Sequence, residues 1–362
     1  MNHLLTRSKS IWYALIMGML CLLLTGCQNV SIFGGNPNHE QSSNATTGTT
    51  NPGVVLQGAQ NVKLFIEPAD GENVIISALA GAKKSVWLEM YLLTDKKIIQ
   101  ALEDAAQRQI DVRVMLEDHP YGSGSVAPNQ TLDRLRAAGV TTQTTNPQFA
   151  LTHEKGMVID HHSAYIMTSN FTLSALGSSR TLQNREYGII DNNSADVQDV
   201  ESIFLADWGR TQVTFSSTHL VVSPVNSRST FLALIQTAKQ SLMIEAEEMQ
   251  DNSIEQALVN AKKRGIQVQV ILPSNNNSPT DNNSAGITEI KQGGIQIKED
   301  TQLYMHAKII IVDQQKAFVG SENISTASLT ANRELGIVIS DATALNALQQ
   351  TFQQDWSVSQ QT

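Results

Sequence analysis

The chain is poor in cysteine, in aromatic residues and in positive charge. Only two cysteines occur among 362 residues, Cys21 and Cys27. Because both precede residue 30, neither a disulfide framework nor a cysteine-ligated metal can hold the main body together. Aromatic residues make up 5% of the chain, and 25 Lys and Arg against 34 Asp and Glu give a net charge of −9. This balance disfavours a protein that coats nucleic acid, although it leaves room for a local basic site.

Residues 1–27 are typical of an export signal, with two basic residues, an apolar run over 11–24 and small residues after it. The sequence Leu24-Thr25-Gly26-Cys27 resembles the lipobox of bacterial lipoproteins, in which the signal is cut before a cysteine that carries lipid. The alternative is an uncleaved anchor, for which about fourteen apolar residues are short. We expect an exported protein, lipid-anchored to the cell envelope through Cys27. Residues 28–61, rich in Asn, Gly, Ser and Thr, are predicted to be a flexible tether.

The rest of the chain is an internal repeat, with a first copy over 62–213 and a second over 214–358. Both copies contain the same segments in the same order. Each begins with an apolar stretch (62–66 and 220–223), followed by a predicted helix (74–84 and 230–240) and a predicted strand that contains an acidic residue (85–89 and 241–245). A second predicted helix (98–108 and 254–264) and a second predicted strand (111–116 and 267–272) follow. This alternation predicts an α/β protein with mixed, largely parallel sheets. The duplication predicts two similar domains related by a pseudo-twofold axis.

Each copy contains the pattern His-x-Lys-x-x-x-x-Asp, at His153, Lys155 and Asp160 and again at His306, Lys308 and Asp313. One such pattern is weak evidence, but two at matching places of a repeat are not chance. Side chains two apart on a strand share a face, so His and Lys point together while the Asp points to the other face. The His–Lys pair is therefore expected to be chemical and the Asp structural.

Two further blocks recur after each motif. Asn170 and Asn323 each lie seventeen residues after the motif histidine. A hydroxyl residue, Thr168 or Ser321, lies two residues before each asparagine. Farther on, Asn-Arg-Glu ends at Glu186 and at Glu334.

These residue types fit the cleavage of a phosphodiester, which needs a nucleophile, positive charge and an acid for the leaving oxygen. One imidazole can attack phosphorus to give a phosphohistidine while the other protonates the departing alkoxide. Both lysines and both asparagines would hold the non-bridging oxygens, with Thr168 and Ser321 counted among the substrate-binding residues. Glu186 and Glu334 are candidates to orient an imidazole, and the sequence leaves open which glutamate faces which histidine. No metal or cofactor is required.

The remaining acids and histidines carry weaker signals. His161 and His162 are expected in a turn, while His119 and His219 are expected at the surface. Glu245 and Glu247 lie two apart, and we expect their strand to line the seam between the halves.

The whole body, from about residue 62 to 358, resembles the phospholipase D superfamily through its duplicated His-Lys-Asp motif. The resemblance implies a two-domain α/β/α fold and metal-independent attack, with His153 as nucleophile and His306 as general acid. It also carries Lys155, Lys308, Asp160 and Asp313 over as catalytic residues. One departure is Met167 where the second copy has Gly320, which predicts tighter space near the phosphate in the first half.

The sequence therefore predicts a phosphodiesterase of the phospholipase D type, whose substrates are a phospholipid and either water or an alcohol. It is expected to act as a monomer tethered to a membrane. Two alternatives within the superfamily stay open: an extracellular nuclease and a cardiolipin synthase-like phosphatidyl transferase. A lipoprotein that binds without catalysis is disfavoured because both motifs are intact.

Overall fold

The computed structural model describes residues 57–121, 128–274 and 283–362, which belong to one compact unit. The predicted signal, Cys27 and residues 28–56 of the predicted tether lie outside the described residues. The tether ends earlier than predicted: Ala59 is buried, and its backbone exchanges hydrogen bonds with Val338 and Ser340. Within the described ranges, no helix has the length and apolar character needed to cross a membrane.

The first copy forms one sheet with four helices. Its strands are β1 (Lys63–Glu67), β2 (Ser85–Met90), β3 (Asp111–Leu116), β4 (Thr141–Thr144), β5 (Lys155–Ile159), β6 (Ser163–Met167) and β7 (Asn184–Asp191), and its helices are α1 (Asn73–Gly81), α2 (Lys96–Gln107), α3 (Pro128–Ala137) and α4 (Ser194–Trp208). The order across the sheet is β1-β7-β6-β5-β2-β3-β4.

The second copy repeats this plan. Its strands are β8 (Leu220–Ser223), β9 (Ser241–Ala246), β10 (Met249–Gln250), β11 (Gln267–Pro273), β12 (Gln296–Asp300), β13 (Tyr304–Met305), β14 (Lys308–Val312), β15 (Lys316–Gly320), β16 (Ile324–Ser325), β17 (Glu334–Ile339) and β18 (Gln360–Gln361), and its helices are α5 (Ser227–Thr237), α6 (Asn252–Lys263), α7 (Ser284–Gln292), α8 (Thr326–Thr330) and α9 (Ala342–Val358). The main sheet has the order β18-β12-β11-β9-β14-β15-β17-β8. Strand β18 extends it past residue 358, the predicted end of the repeat.

The mixed α/β architecture is confirmed: in the two main sheets, parallel pairing joins β2-β3-β4, β9-β11-β12 and, across the seam, β13 to β7. The other neighbours there are antiparallel, and three-residue turns join two of these pairs, β5 to β6 and β14 to β15. Asp160 and His161 in one turn, and Asp313 and Gln314 in the other, have φ between 51° and 61°. Consecutive residues with positive φ are typical of tight hairpins. His161 and His162 thus lie in a turn, as predicted.

Three apolar cores account for the layers. Helices α1, α2 and α3 cover the outer face of the first sheet, and α5, α6 and α7 cover that of the second. The inner faces of both sheets meet in a central core that also takes apolar residues of α4 and α9. Helices therefore lie on both sides of each sheet, which confirms the α/β/α class.

Reciprocal ion pairs relate the two halves. The guanidinium of Arg185 bonds Asp355 at the end of α9, with Nε to Oδ2 at 2.6 Å, and Arg333 bonds Asp207 at the end of α4, with Nε to Oδ2 at 2.7 Å. All four side chains are buried. In a twofold arrangement, a residue of the first half contacts the second half, and the equivalent residue of the second half makes the same contact with the first. The seam is thus held by two matched, buried ion pairs.

Candidate active site

Backbone pairing across the seam brings the two histidines together. Strand β13, just before His306, pairs in parallel with the start of β7. In the matching place, the backbone of His153 donates to the carbonyl of Arg333 at 2.9 Å. The backbone at each motif therefore pairs with the Asn-Arg-Glu block of the other half. His153 and His306 are 8% and 7% exposed, and both line one cavity of about 560 Å³.

The two glutamates of those blocks face the histidines in a crossed pattern. Nδ1 of His153 lies 3.0 Å from Oε2 of Glu334, and Nδ1 of His306 lies 2.8 Å from Oε1 of Glu186. Burial alone would raise the pKa of Glu334, but the neighbouring His153 imidazole holds it below the ordinary value. An ionised carboxylate at Nδ1 accepts a hydrogen bond from the Nδ1 proton and leaves Nε2 as the reactive nitrogen.

Both motif lysines lie beneath the histidines. Lys155 Nζ donates to the carbonyl oxygen of His153, and Lys308 Nζ to that of His306, both at 2.6 Å. Burial lowers the pKa of Lys155 to about 7, and the charge of Lys308 acts in the same direction. A phosphate anion bound nearby would favour the charged ammonium again.

Asn170 and Asn323, which the sequence predicts to bind substrate, both line the cavity. Asn323 Nδ2 lies 3.4 Å from a carboxylate oxygen of Glu247. The buried amide oxygens of both asparagines have no hydrogen-bond partner among the described residues.

Thr168 and Ser321 do not contact the cavity, contrary to the prediction that they bind substrate. Both are fully buried behind the glutamates: Thr168 Oγ1 donates to Glu186 at 2.6 Å, and Ser321 bonds Glu334. Their hydroxyls also accept from the backbone of Tyr187 and Leu335. These hydroxyls position the glutamates that orient the imidazoles.

The Met167 departure has no effect on the cavity. Met167 is fully buried in the outer core of the first half. Its counterpart Gly320 faces β17, where an added Cβ would lie 2.4 Å from the Cα of Gly336. The glycine is therefore required by strand packing, and the predicted tightening near the phosphate is wrong.

Asp160 and Asp313 directly follow β5 and β14, at the ends of these strands opposite the motif lysines. They do not line the cavity, so the structure does not support the prediction that they are catalytic. Asp160 accepts from the backbone amides of Lys83, Lys84 and Ser85 at 2.6–3.1 Å. Asp313 makes the matching bonds to residues 239–241 at 2.7–2.9 Å. Each carboxylate fixes the loop that enters a central strand.

We expect Asp160→Ala to lower stability and to spare catalysis. The loss of several bonds to one charged group predicts a cost of about 1–3 kcal/mol. Thermal unfolding should show a fall in Tm of several degrees, while kcat below the unfolding range stays within about twofold of the parent. A loss of kcat comparable to that of a histidine variant would return Asp160 to the catalytic set.

Glu247 is the principal site residue that sequence reasoning placed wrongly. Strand β9 ends at Ala246, so Glu247 lies beyond the strand and lines the cavity, whereas Glu245 is buried at the seam and accepts from Tyr187 Oη at 2.7 Å. Glu247 Oε2 lies 2.8 Å from Lys308 Nζ and 3.4 Å from His306 Nε2. Its position at the carboxyl end of a central strand was a usable signal.

The two histidines have different surroundings. The ring of Tyr91, which matches Glu247 in the repeat, meets His153 edge-on at 4.7 Å between centroids. Burial lowers the pKa of His153, although Glu334 opposes this shift. His306 instead has a carboxylate at each ring nitrogen, Glu186 at Nδ1 and Glu247 at Nε2. The site thus holds one imidazole suited to attack and one suited to carry a proton.

Three buried carboxylates, which the sequence did not reveal as a group, lie behind His153. Oxygens of Glu89, Glu154 and Asp207 lie within 4.8 Å of one another. Burial raises the pKa of Glu154 to about 8, and Asp207 adds to the shift. Arg333 pairs with Asp207 and so offsets part of the negative charge of the cluster.

Comparison with known proteins gives consistent results. A family model described as "Cardiolipin synthase, PLD-like domain" matches residues 75–208 and 231–356. Relatives include the minor cardiolipin synthase ClsB of Bacillus subtilis, 24% identical over 83% of this chain and 82% of its own length. Another is cardiolipin synthase B of Salmonella typhi, 24% identical over 77% of this chain and 76% of its own.

Solved structures support the fold. Phosphatidylserine synthase of Haemophilus influenzae superposes with a TM-score of 0.64 and 13% identity, covering 84% of this chain and 88% of that chain. Polyphosphate kinase of Porphyromonas gingivalis superposes with a TM-score of 0.62 and 17% identity over 81% of this chain, which spans 46% of that chain. The family match covers both halves, with both histidines inside it, and the chain belongs to the phospholipase D superfamily, in the family described as cardiolipin synthase, PLD-like domain.

Proposed function

We propose that the protein is a phosphatidyl transferase, which moves a phosphatidyl group from one phospholipid to the hydroxyl of an acceptor alcohol. The observation that carries this proposal is the pair of histidines in one cavity, each oriented by a glutamate of the other half. The cardiolipin synthases among the relatives favour transfer over the hydrolytic phospholipase D that the sequence placed first. Lipid anchoring through Cys27 stays a prediction of the sequence.

In the first step, His153 Nε2 attacks phosphorus while His306 donates a proton. The new N–P bond replaces the P–O bond to the headgroup, and the Nε2 proton of His306 moves to the departing oxygen. The free headgroup alcohol leaves, and the phosphatidyl group stays on His153. Lys155, Lys308 and both asparagines would stabilise the charge that develops on the non-bridging oxygens.

In the second step, the acceptor alcohol gives its hydroxyl proton to His306 Nε2 and attacks phosphorus. The P–N bond breaks, and its electron pair returns to His153 Nε2. With water as acceptor, the same step would release phosphatidic acid. The choice between transfer and hydrolysis therefore depends on which hydroxyl reaches the cavity.

The surroundings of the two rings support this order. An attacking nitrogen needs a free lone pair, which the lowered pKa of His153 favours. A proton donor needs a loaded proton, and His306 has a carboxylate facing each nitrogen. The carboxylate of Glu247 in the cavity wall disfavours a polyanion, which counts against the nuclease alternative.

We expect the full chain, incubated with phosphatidylglycerol vesicles and EDTA, to form a lipid with two phosphatidyl groups on one glycerol and to release free glycerol. Mass spectrometry of the lipid phase and an enzymatic glycerol assay would measure both products. The chelator should leave the rate unchanged, because His, Lys and Asn side chains supply the chemistry. His306→Ala serves as the inactive control.

Other products would contradict transfer. Phosphatidic acid alone, with no product of transfer, would identify a hydrolase. Inert lipid with cleavage of added single-stranded DNA would assign the protein to the nucleases. A rate lost in EDTA and restored by a divalent cation would overturn the metal-independent mechanism.

A further inference from the structure

The carboxylate of Glu247 occupies a cluster of hydrogen-bond donors in the active site. Its Oε2 lies 2.8 Å from Lys308 Nζ, 3.4 Å from Asn323 Nδ2 and 3.4 Å from His306 Nε2. Its other oxygen, Oε1, accepts from Tyr304 Oη at 3.0 Å. Burial would raise the pKa of Glu247, but His306 and Lys308 hold it well below the ordinary value, so the group is an anion at neutral pH.

The donors around Oε2 are those that the proposed mechanism assigns to the phosphate. Lys308 and Asn323 would hold non-bridging oxygens, and His306 would face the leaving oxygen. Glu247 Oε2 therefore stands where an oxygen of the substrate would bind. A substrate phosphate must displace this oxygen, and the carboxylate then stays nearby on its contact with Tyr304.

The matching place in the first half carries no charge. Tyr91 takes the position of Glu247, and the Nζ of Lys155 lies 5.3 Å from the centre of its ring. Within the ranges 57–121, 128–274 and 283–362, Lys155 donates to the carbonyl of His153, and no hydrogen bond joins its ammonium to a carboxylate. One lysine of the site thus has no carboxylate bonded to it among the described residues, and the other is paired with Glu247.

We propose that Glu247 is a charge-selecting residue, which makes the site favour a phosphodiester with one negative charge over a phosphomonoester with two. This inference rests on the proposed function, since it takes the cavity to bind a phosphodiester. It narrows the substrate class to phosphodiesters with one negative charge. It also explains how a phosphomonoester product such as phosphatidic acid would be released rather than retained.

The charges at the site account for the selection. Three basic side chains, Lys155, Lys308 and His306, face three carboxylates, which are Glu186, Glu334 and Glu247. The basic side chains can at most balance these carboxylates, so a dianion meets more repulsion than a monoanion. Because the repulsion between Glu247 and a ligand is proportional to the ligand charge, its effect on the binding constant of a dianion is about the square of that on a monoanion.

Calorimetric binding of two small probes to the full chain tests this directly. At pH 8, diethyl phosphate carries one charge and ethyl phosphate carries two. We expect Glu247→Gln to tighten diethyl phosphate about threefold and ethyl phosphate about tenfold. Glu248→Gln removes a neighbouring carboxylate of the same cavity wall and should change either constant less than twofold. Melting temperatures would confirm folding, and Glu247→Ala replaces the glutamine variant if that one is unstable.

The possible results separate two claims, that Glu247 selects ligands by charge and that the cavity binds a phosphodiester. Equal tightening of both probes, weaker binding, or the same effect in Glu248→Gln would overturn charge selection by Glu247. Binding of both probes that is unaltered by Glu247→Gln would overturn it too and would leave the phosphodiester site intact. If neither probe binds any of the proteins, the phosphodiester site is overturned instead, and with it the proposed function.

Discussion

His153→Ala should abolish turnover of every substrate, including those with leaving groups that need no proton. The reason is that His153 Nε2 is the nucleophile of the proposed mechanism, in which His306, the other imidazole of the cavity, serves as the proton donor. Loss of a nucleophile predicts a fall in kcat on the order of 10⁴ or more. Both phosphatidylglycerol and bis(p-nitrophenyl) phosphate should therefore be inert.

Mixtures quenched with detergent at alkaline pH allow a second readout. With a ³²P-labelled substrate, the parent should retain label on protein that is stable to base and lost in acid, as expected of a phosphohistidine, and His153→Ala should retain none. His161→Ala is a matched control, since His161 lies in the β5–β6 turn beside Glu201 and outside the cavity. Label that persists in His153→Ala but vanishes in His306→Ala would reverse the two roles.

His306→Ala should show a different pattern, in which the loss depends on the leaving group. General acid catalysis contributes on the order of 10²–10⁴ to a rate, so turnover of phosphatidylglycerol should fall by that factor. A p-nitrophenolate leaves without a proton, so the first step on bis(p-nitrophenyl) phosphate should persist. We expect a burst of p-nitrophenol close to one equivalent, followed by a slow phase, because His306 is also needed to activate the acceptor.

The burst is measured by stopped-flow absorbance with His153→Ala as the control that shows none. A His306→Ala variant that loses both substrates equally would contradict the role of proton donor. Circular dichroism and melting curves would be needed beside the kinetics, since His306 also bonds the buried Glu186 across the seam. Comparable melting temperatures for the parent and the variant would separate lost chemistry from lost folding.

Much of the architecture could be read from the repeat. Residues 85–89 and 241–245 lie in β2 and β9, and the predicted helices differ from α1, α2, α5 and α6 by a few residues at their ends. Local periodicity specifies such elements because a strand or helix buries one face of its own sequence. Each main sheet also contains antiparallel neighbours, two of which are joined by tight turns at Asp160 and Asp313, and these turns require a positive φ that periodicity does not report.

The candidate site was predicted in composition but not in arrangement. The sequence selected both histidines, both lysines and both asparagines, and the cavity contains His153, His306, Asn170 and Asn323. Thr168 and Ser321 were misplaced because a hydroxyl close to a motif can serve the substrate or the glutamate behind it. Only the depth of each side chain distinguishes the two.

By itself, the sequence determined that one βαβ unit occurs twice and that each copy supplies a histidine and a lysine. Tertiary structure alone decided that Glu334 serves His153 and Glu186 serves His306, because that pairing depends on β13 and residue 152 docking on the opposite half. It also decided that Glu247 rather than Tyr91 meets a lysine ammonium through a hydrogen bond. Chain order fixes which residues are available, whereas the distances across a seam arise only when two buried faces pack together, and they give two similar histidines different chemistry.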